Sequence, residues 1–122
     1  MANKSKLVRT VDEDGTITYT KDGKLHREDG PAEIRANGML FWYKDGELHR
    51  LDGPARIYAN GTQEWWKNGE KHRLDGPAEI WPNGSLYWYK NGEPHRIYGP
   101  AIIYPDGTQR WFKDGKEIIL DS

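Results

Sequence analysis

The chain contains no cysteine. No disulfide framework, thiolate zinc site or cysteine nucleophile can be built from it, and an intracellular setting is expected. Ordinary core material is scarce as well, since Leu, Ile, Val and Phe together number 21 of the 122 residues. In a highly charged chain that level signals disorder. Here 18 Lys plus Arg stand against 19 Asp plus Glu, for a net charge of −1. No global basic field exists to gather nucleic acid. No apolar run approaches the ~20 residues of a membrane span, and the start of the chain lacks the apolar stretch of a secretory signal. A soluble cytoplasmic protein with no membrane partner is expected. What the chain has in place of aliphatics is rings, with 6 Trp and 7 Tyr, whose large side chains bury area that small aliphatics would otherwise supply.

Self-similarity dominates the sequence. Lys-[Asp/Asn]-Gly recurs at Lys21, Lys44, Lys67, Lys90 and Lys113, a step of 23 residues each time. Within each step lies His-Arg-x-Asp-Gly-Pro-Ala, complete at His26 to Ala32, His49 to Ala55 and His72 to Ala78. The fourth copy, His95 to Ala101, carries Tyr98 in the Asp place. A further turn signal, Asn-Gly or Asp-Gly, falls at Asp14, Asn37, Asn60, Asn83 and Asp106. This divides the chain into a polar N-terminal tail (1–10), a repeat domain (11–117, a leading partial hairpin plus four repeats) and a C-terminal cap (118–122).

Two turn signals per unit leave runs too short for a helix of ordinary length. The runs read as strands, and Asp-Gly-Pro breaks whatever precedes the first of them. One hairpin per repeat predicts an all-β fold, an antiparallel meander of 23-residue β-hairpins in an elongated twisted sheet. A three-residue loop, Ala59 to Gly61 with the glycine in a bulge, sets Ile57 across from Gln63, Arg56 from Glu64 and Ala55 from Trp65. That register puts the columns Ala32, Ala55, Ala78, Ala101 and Ile34, Ile57, Ile80, Ile103 on one face with the rings Tyr19, Trp42, Trp65, Trp88 and Trp111, as a packed spine. The other face carries Tyr43, Trp66, Tyr89 and Phe112 from second strands and Tyr58, Trp81 and Tyr104 from first strands, with Glu33, Arg56 and Glu79 between them. Two readings of that face stand side by side: a second small core formed as the sheet curls, or an aromatic strip that docks a partner.

The unit Trp-[aromatic]-Lys-[Asp/Asn]-Gly-x-x-His, as in Asn68-Gly69 to His72 and Asn91-Gly92 to His95, resembles the membrane occupation and recognition nexus (MORN) repeat over about residues 11–117. MORN repeats have glycines close behind the histidine, whereas this chain has Arg50-Leu51-Asp52-Gly53-Pro54. It is similar in that respect to the His-Arg-x-Asp-Gly-Pro-Ala repeat proteins frequent in phages and giant viruses. The resemblance implies a repeat scaffold for protein association, phage-encoded and acting in the host cytoplasm to block a host factor such as a defence component.

The histidines His26, His49, His72 and His95 invite a metal reading. Equivalent positions in successive hairpins lie about 9 to 10 Å apart, and one ion needs its ligand atoms within ~2 Å, so successive histidines cannot share a metal. Regular repetition also argues against catalysis. A structural loop is expected, with these histidines, the arginines beside them and Asp29, Asp52 and Asp75 tied down by hydrogen bonds. Tyr98 then predicts a looser or partner-facing fourth loop. The Arg27, Arg50, Arg73, Arg96 and Lys21, Lys44, Lys67, Lys90, Lys113 columns each have acidic neighbours, which speaks against nucleic acid as the partner. No phosphate loop, Gly-x-Ser-x-Gly or carboxylate pair in unlike surroundings is present.

The expectation is thus a non-enzymatic scaffold without cofactor or metal. Its protein partner would meet Tyr43, Arg56, Tyr58, Trp66, Trp81, Tyr89, Tyr104 and Phe112, and its open sheet edges would allow self-association. The competing class is a module holding a nucleotide, a lipid headgroup or single-stranded nucleic acid between repeats.

Overall fold

A computed structural model describes residues 6–120. Strands β1 (Leu7–Val11) and β2 (Ile17–Lys21) form a leading hairpin, with β3 (Lys24–Leu25) paired to the far end of β2. Each of the next three units repeats one pattern of four two-residue strands. These are β4 (Glu33–Ile34), β5 (Leu40–Phe41), β6 (Tyr43–Lys44) and β7 (Glu47–Leu48) in the first, then β8 (Arg56–Ile57), β9 (Gln63–Glu64), β10 (Trp66–Lys67) and β11 (Glu70–Lys71) in the second. The third contains β12 (Glu79–Ile80), β13 (Leu86–Tyr87), β14 (Tyr89–Lys90) and β15 (Glu93–Pro94), and the chain closes with β16 (Ile102–Ile103), β17 (Gln109–Lys113) and β18 (Lys116–Ile118). Every pairing is antiparallel, and the described residues contain no helix. The main sheet runs β1-β2-β4-β5-β8-β9-β12-β13-β16-β17-β18, the all-β hairpin meander that the turn spacing implies. β1 includes Leu7 to Thr10, so the ordered sheet takes in part of the segment set apart above as the tail. Ile118, the first residue of the predicted cap, pairs with Trp111 in the last hairpin.

Two turns of different kinds shape each unit. In the first, Ala59-Asn60-Gly61 forms the three-residue loop: the Gly61 N–H donates to the Tyr58 carbonyl, and the Tyr58 N–H to the Thr62 carbonyl. Gly61 has φ +94°, the bulge position that a residue with a Cβ resists. The Asn60 side chain accepts the Thr62 N–H at 2.9 Å. The result is the register Arg56↔Glu64 and Ile57↔Gln63. In the second turn, Asn68 (φ +49°) and Gly69 (φ +80°) both lie in the left-handed region. That is the mirror-image two-residue turn whose twist matches a hairpin, and it joins β10 to β11. The sequence predicted one hairpin per unit; the structure has two.

The second hairpin exists because the main ladder cannot continue. Ala55 was placed opposite Trp65, but its N–H donates to the Glu64 carbonyl at 2.8 Å, and the Trp65 N–H donates to Ala78 of the next unit at 2.6 Å. Beyond Ala55 stands Pro54, which has no N–H to offer. The chain therefore kinks at Trp65 and starts a separate ribbon. Successive ribbons are stitched together, since the Gly69 N–H reaches the Leu48 carbonyl at 2.9 Å and the Arg50 N–H reaches the Trp66 carbonyl at 3.0 Å.

The core is thin. Ala32, Ala55, Ala78 and Ala101 are fully buried at 0% exposure, each wedged where a larger side chain would hold the units apart. Ile102 and Phe112 join Ala101 in one buried cluster with Tyr87, Trp88 and Tyr104 packed against it; Phe41 and two carboxylates, Glu64 and Glu79, are buried as well. The isoleucine column Ile34, Ile57, Ile80 and Ile103 is half-buried on the alanine side.

Candidate functional site

The His-Arg-x-Asp-Gly-Pro-Ala segments form a stack of loops along one side of the sheet, and each residue of the motif has a physical task. His49 Nδ1 accepts the backbone N–H of Asn68 at 3.0 Å; His26, His72 and His95 do the same for Asp45, Asn91 and Asp114. Each histidine thus ties its loop to the next turn 19 residues on. The accepting nitrogen must be unprotonated, and burial, joined by the Lys44 and Lys67 charges, lowers the His49 pKa. Burial, with Lys67 and Lys90, does the same for His72. The arginine lies flat on the preceding ring: Arg50 Cζ is 4.0 Å from the Trp42 centroid, with Arg27 on Tyr19, Arg73 on Trp65 and Arg96 on Trp88 alike. Arg50 Nε donates to Asp52 Oδ1 at 3.1 Å and a terminal nitrogen donates to the Pro54 carbonyl at 3.0 Å. A Cβ on Gly53 would sit 2.8 Å from Arg50 Cζ, so glycine leaves the space that the guanidinium fills.

Between successive loops run open grooves. The first is lined by Arg27, Trp42, Lys44, Arg50 and Leu51, the second by Arg50, Trp65, Lys67, Arg73 and Leu74. The third is lined by Arg73, Trp88, Lys90, Arg96, Ile97 and Tyr98. Large apolar side chains stand on the rims: Leu51 is 75% exposed, Leu74 79%, Ile97 69% and Tyr98 92%. Sequence reasoning passed over the variable position of the motif. The available signal was Leu, Leu and Ile recurring at the tip of a Gly-Pro loop, where a polar residue would be ordinary.

Of the residues predicted to meet a partner, Tyr43 contributes to the first groove, and the others line none of the three. Phe112 is buried, Tyr43, Tyr58, Trp66, Tyr89 and Tyr104 are half-buried, and Trp81 is the most open ring. They pack with each other and with rings that were not singled out: Phe41 stacks on Tyr43, and Tyr87 contacts Tyr89 and Tyr104. At the centre is an ionic cluster. Glu64 and Glu79 face each other on neighbouring strands, and Lys71 bridges them, bonded to Glu79 and 3.9 Å from Glu64. Arg56, the Tyr58 hydroxyl and the Trp66 indole N–H all donate to Glu64, and the Trp81 indole N–H donates to Glu79. Burial would depress the Lys71 pKa, but its hydrogen bond to Glu79 and the charges of Glu79 and Glu64 more than offset this and the pKa is raised. Burial raises the hydroxyl pKa of Tyr43, Tyr58 and Tyr89.

Among the described residues, no group of three or more His, Asp or Glu is placed to hold a metal ion. The fold is that of an all-β hairpin-repeat protein. No known protein family, curated protein or solved structure matches the chain.

Proposed function

We propose that this protein is a non-enzymatic β-repeat scaffold whose loop side docks another protein. The observation that carries the reading is the row Leu51, Leu74 and Ile97, exposed apolar side chains one repeat apart, with Tyr98 beside the last, on loops held by the arginine and histidine bonds. Neighbours in the row share a groove, Leu51 with Leu74 and Leu74 with Ile97. Apolar groups arrayed on a fixed support are what a protein interface uses. The MORN-like motif supports the same reading, and with it the proposal of a virus-encoded protein that occupies a host factor in the cytoplasm. On the opposite face the rings and charges largely pair with one another, Arg56 Nε being buried without a partner, and only Trp81 among the predicted rings is exposed, which favours the loop side.

Affinity capture from a candidate host's lysate, with mass spectrometry, tests this against two sets of variants. Recovery of one stoichiometric protein, lost in L51S/L74S and kept in W81A, supports the loop side; the reverse pattern moves the surface to the aromatic face. Nucleic-acid binding that weakens steeply with salt would overturn the protein-scaffold reading.

A further inference from the structure

Comparing the four loops with one another shows a place that one of them leaves open. Arg27, Arg50 and Arg73 each donate from Nε to the aspartate two residues on, at 3.1, 3.1 and 3.0 Å. Arg96 keeps the ring stack on Trp88 and the bond to the Pro100 carbonyl, but Tyr98 stands where that aspartate would be. Among the described residues no carboxylate reaches Arg96 Nε. Tyr98 does not fill the space, being 92% exposed. The backbone differs too: of the four glycines in these loops, only Gly99 has a positive φ, +148°.

The charge of the grooves follows the same trend. The first groove is lined by three cations and three carboxylates (Arg27, Lys44, Arg50; Glu28, Asp29, Asp52), and the second by three cations and two carboxylates. The third holds Arg73, Lys90 and Arg96 against Asp75 alone. Its rim is also the most apolar, with Leu74, Ile97 and Tyr98 together.

We propose that the third groove binds an acidic side chain of a partner protein, an Asp or Glu flanked by apolar residues. That carboxylate takes the position beside Arg96 that Asp29, Asp52 and Asp75 occupy beside their own arginines. The inference rests on the docking reading above and narrows it to one groove and one chemistry. A charge-assisted bond to a guanidinium already fixed against a ring loses little freedom on forming, and the exposed rim supplies contact for the residues on either side.

The test is selection of a random 12-residue peptide library on the immobilised protein and on Y98D, which restores the aspartate found in the other three loops. Peptides enriched on the wild type are expected to carry Asp or Glu at a fixed place between apolar residues, and to be lost on Y98D. In a synthetic peptide with an amidated C-terminus, replacing that acid by its amide should weaken binding about tenfold or more. The Arg96 Nε–H resonance should shift on titration while those of Arg27 and Arg50 stay still. D75Y is the gain-of-function arm, expected to create a second such site at Arg73. Peptides without an acid that bind wild type and Y98D equally, mapping to Leu51 and Leu74, overturn this inference and leave the docking reading standing. No enrichment on wild type, Y98D or D75Y overturns both.

Discussion

His72 Nδ1 accepts the backbone N–H of Asn91 at 3.0 Å, so a ring in one unit holds the turn of the next. Protonation of that nitrogen removes the acceptor and sets a positive charge against those of Lys67 and Lys90, which Glu70 opposes only in part. The folded-state pKa values of His49 and His72 lie below the ordinary 6.5. The unfolded chain therefore binds these protons first. Their contribution to stability is complete above pH 6.5 and is lost as the pH falls through the folded values. Urea midpoints measured at about pH 8 and about pH 5 should show the decrease. The double variant H49F/H72F should be less stable at the higher pH and flatter across the interval; an unchanged slope would count against the assignment.

Removal of Lys71 leaves Glu64 and Glu79 facing each other with Arg56 as the remaining cation on Glu64. Lys71→Met should cost about 1–3 kcal/mol, less than breaking a fully buried pair, because the Lys71 side chain is 25% exposed. The triple variant K71M/E64Q/E79Q should recover much of that loss, and a double-mutant cycle by chemical denaturation reads the coupling. Because the Lys71 pKa is raised, its contribution holds below the ordinary 10.5 and is lost as the pH rises through the folded value.

Gly53→Ala places a methyl 2.8 Å from Arg50 Cζ. The guanidinium must shift over Trp42, and because it is the end of a flexible side chain the expected destabilisation is about 1 kcal/mol, the low end for overpacked sites. Trp42 fluorescence should change in the same variant. A stability loss with unaltered fluorescence would mean that the stack survives and the cost lies elsewhere.

Asn68 holds φ +49° in the two-residue turn between β10 and β11. Asn68→Ala should cost up to about 1 kcal/mol, because alanine lacks the short polar side chain with which asparagine tolerates left-handed backbone, while Asn68→Gly should be close to neutral. Equal effects of the two substitutions would argue against a backbone origin.

The loop-tip side chains should behave in the opposite way. Leu51 and Leu74 are 75% and 79% exposed, so Leu51→Ser and Leu74→Ser should change stability by no more than about 0.5 kcal/mol. A larger loss of melting temperature would place these side chains in the fold rather than at an interface.

The outline of this architecture was readable from the residues because its unit is short and strongly punctuated. Asn60-Gly61 and the alanine, isoleucine and ring columns were enough to set Arg56 against Glu64, since a slip of one residue would have sent the ring column to the face away from the alanines and isoleucines. The ribbon β10–β11 was not readable: a strand of two residues carries no alternation, and Glu70-Lys71 looks like the rest of a polar turn. Pairing Ala55 with Trp65 left out Pro54, whose missing N–H denies the ladder its next bond. For the loops, histidine and arginine marked the place, yet the stack of Arg50 on Trp42 joins residues of successive turns that only the folded backbone brings together. The apolar rim was not legible because its column opens with Glu28 before Leu51, Leu74 and Ile97, and exposure at a loop tip is set by the folded backbone.

Each unit adds two strands to the main sheet, a translation of about 9 to 10 Å. An extended polypeptide advances roughly 3.3 Å per residue, so a segment lying along the loops meets a new groove at every third residue. The array is in this sense a ruler graduated in tripeptides, and the number of its graduations is set by how many times the unit is copied.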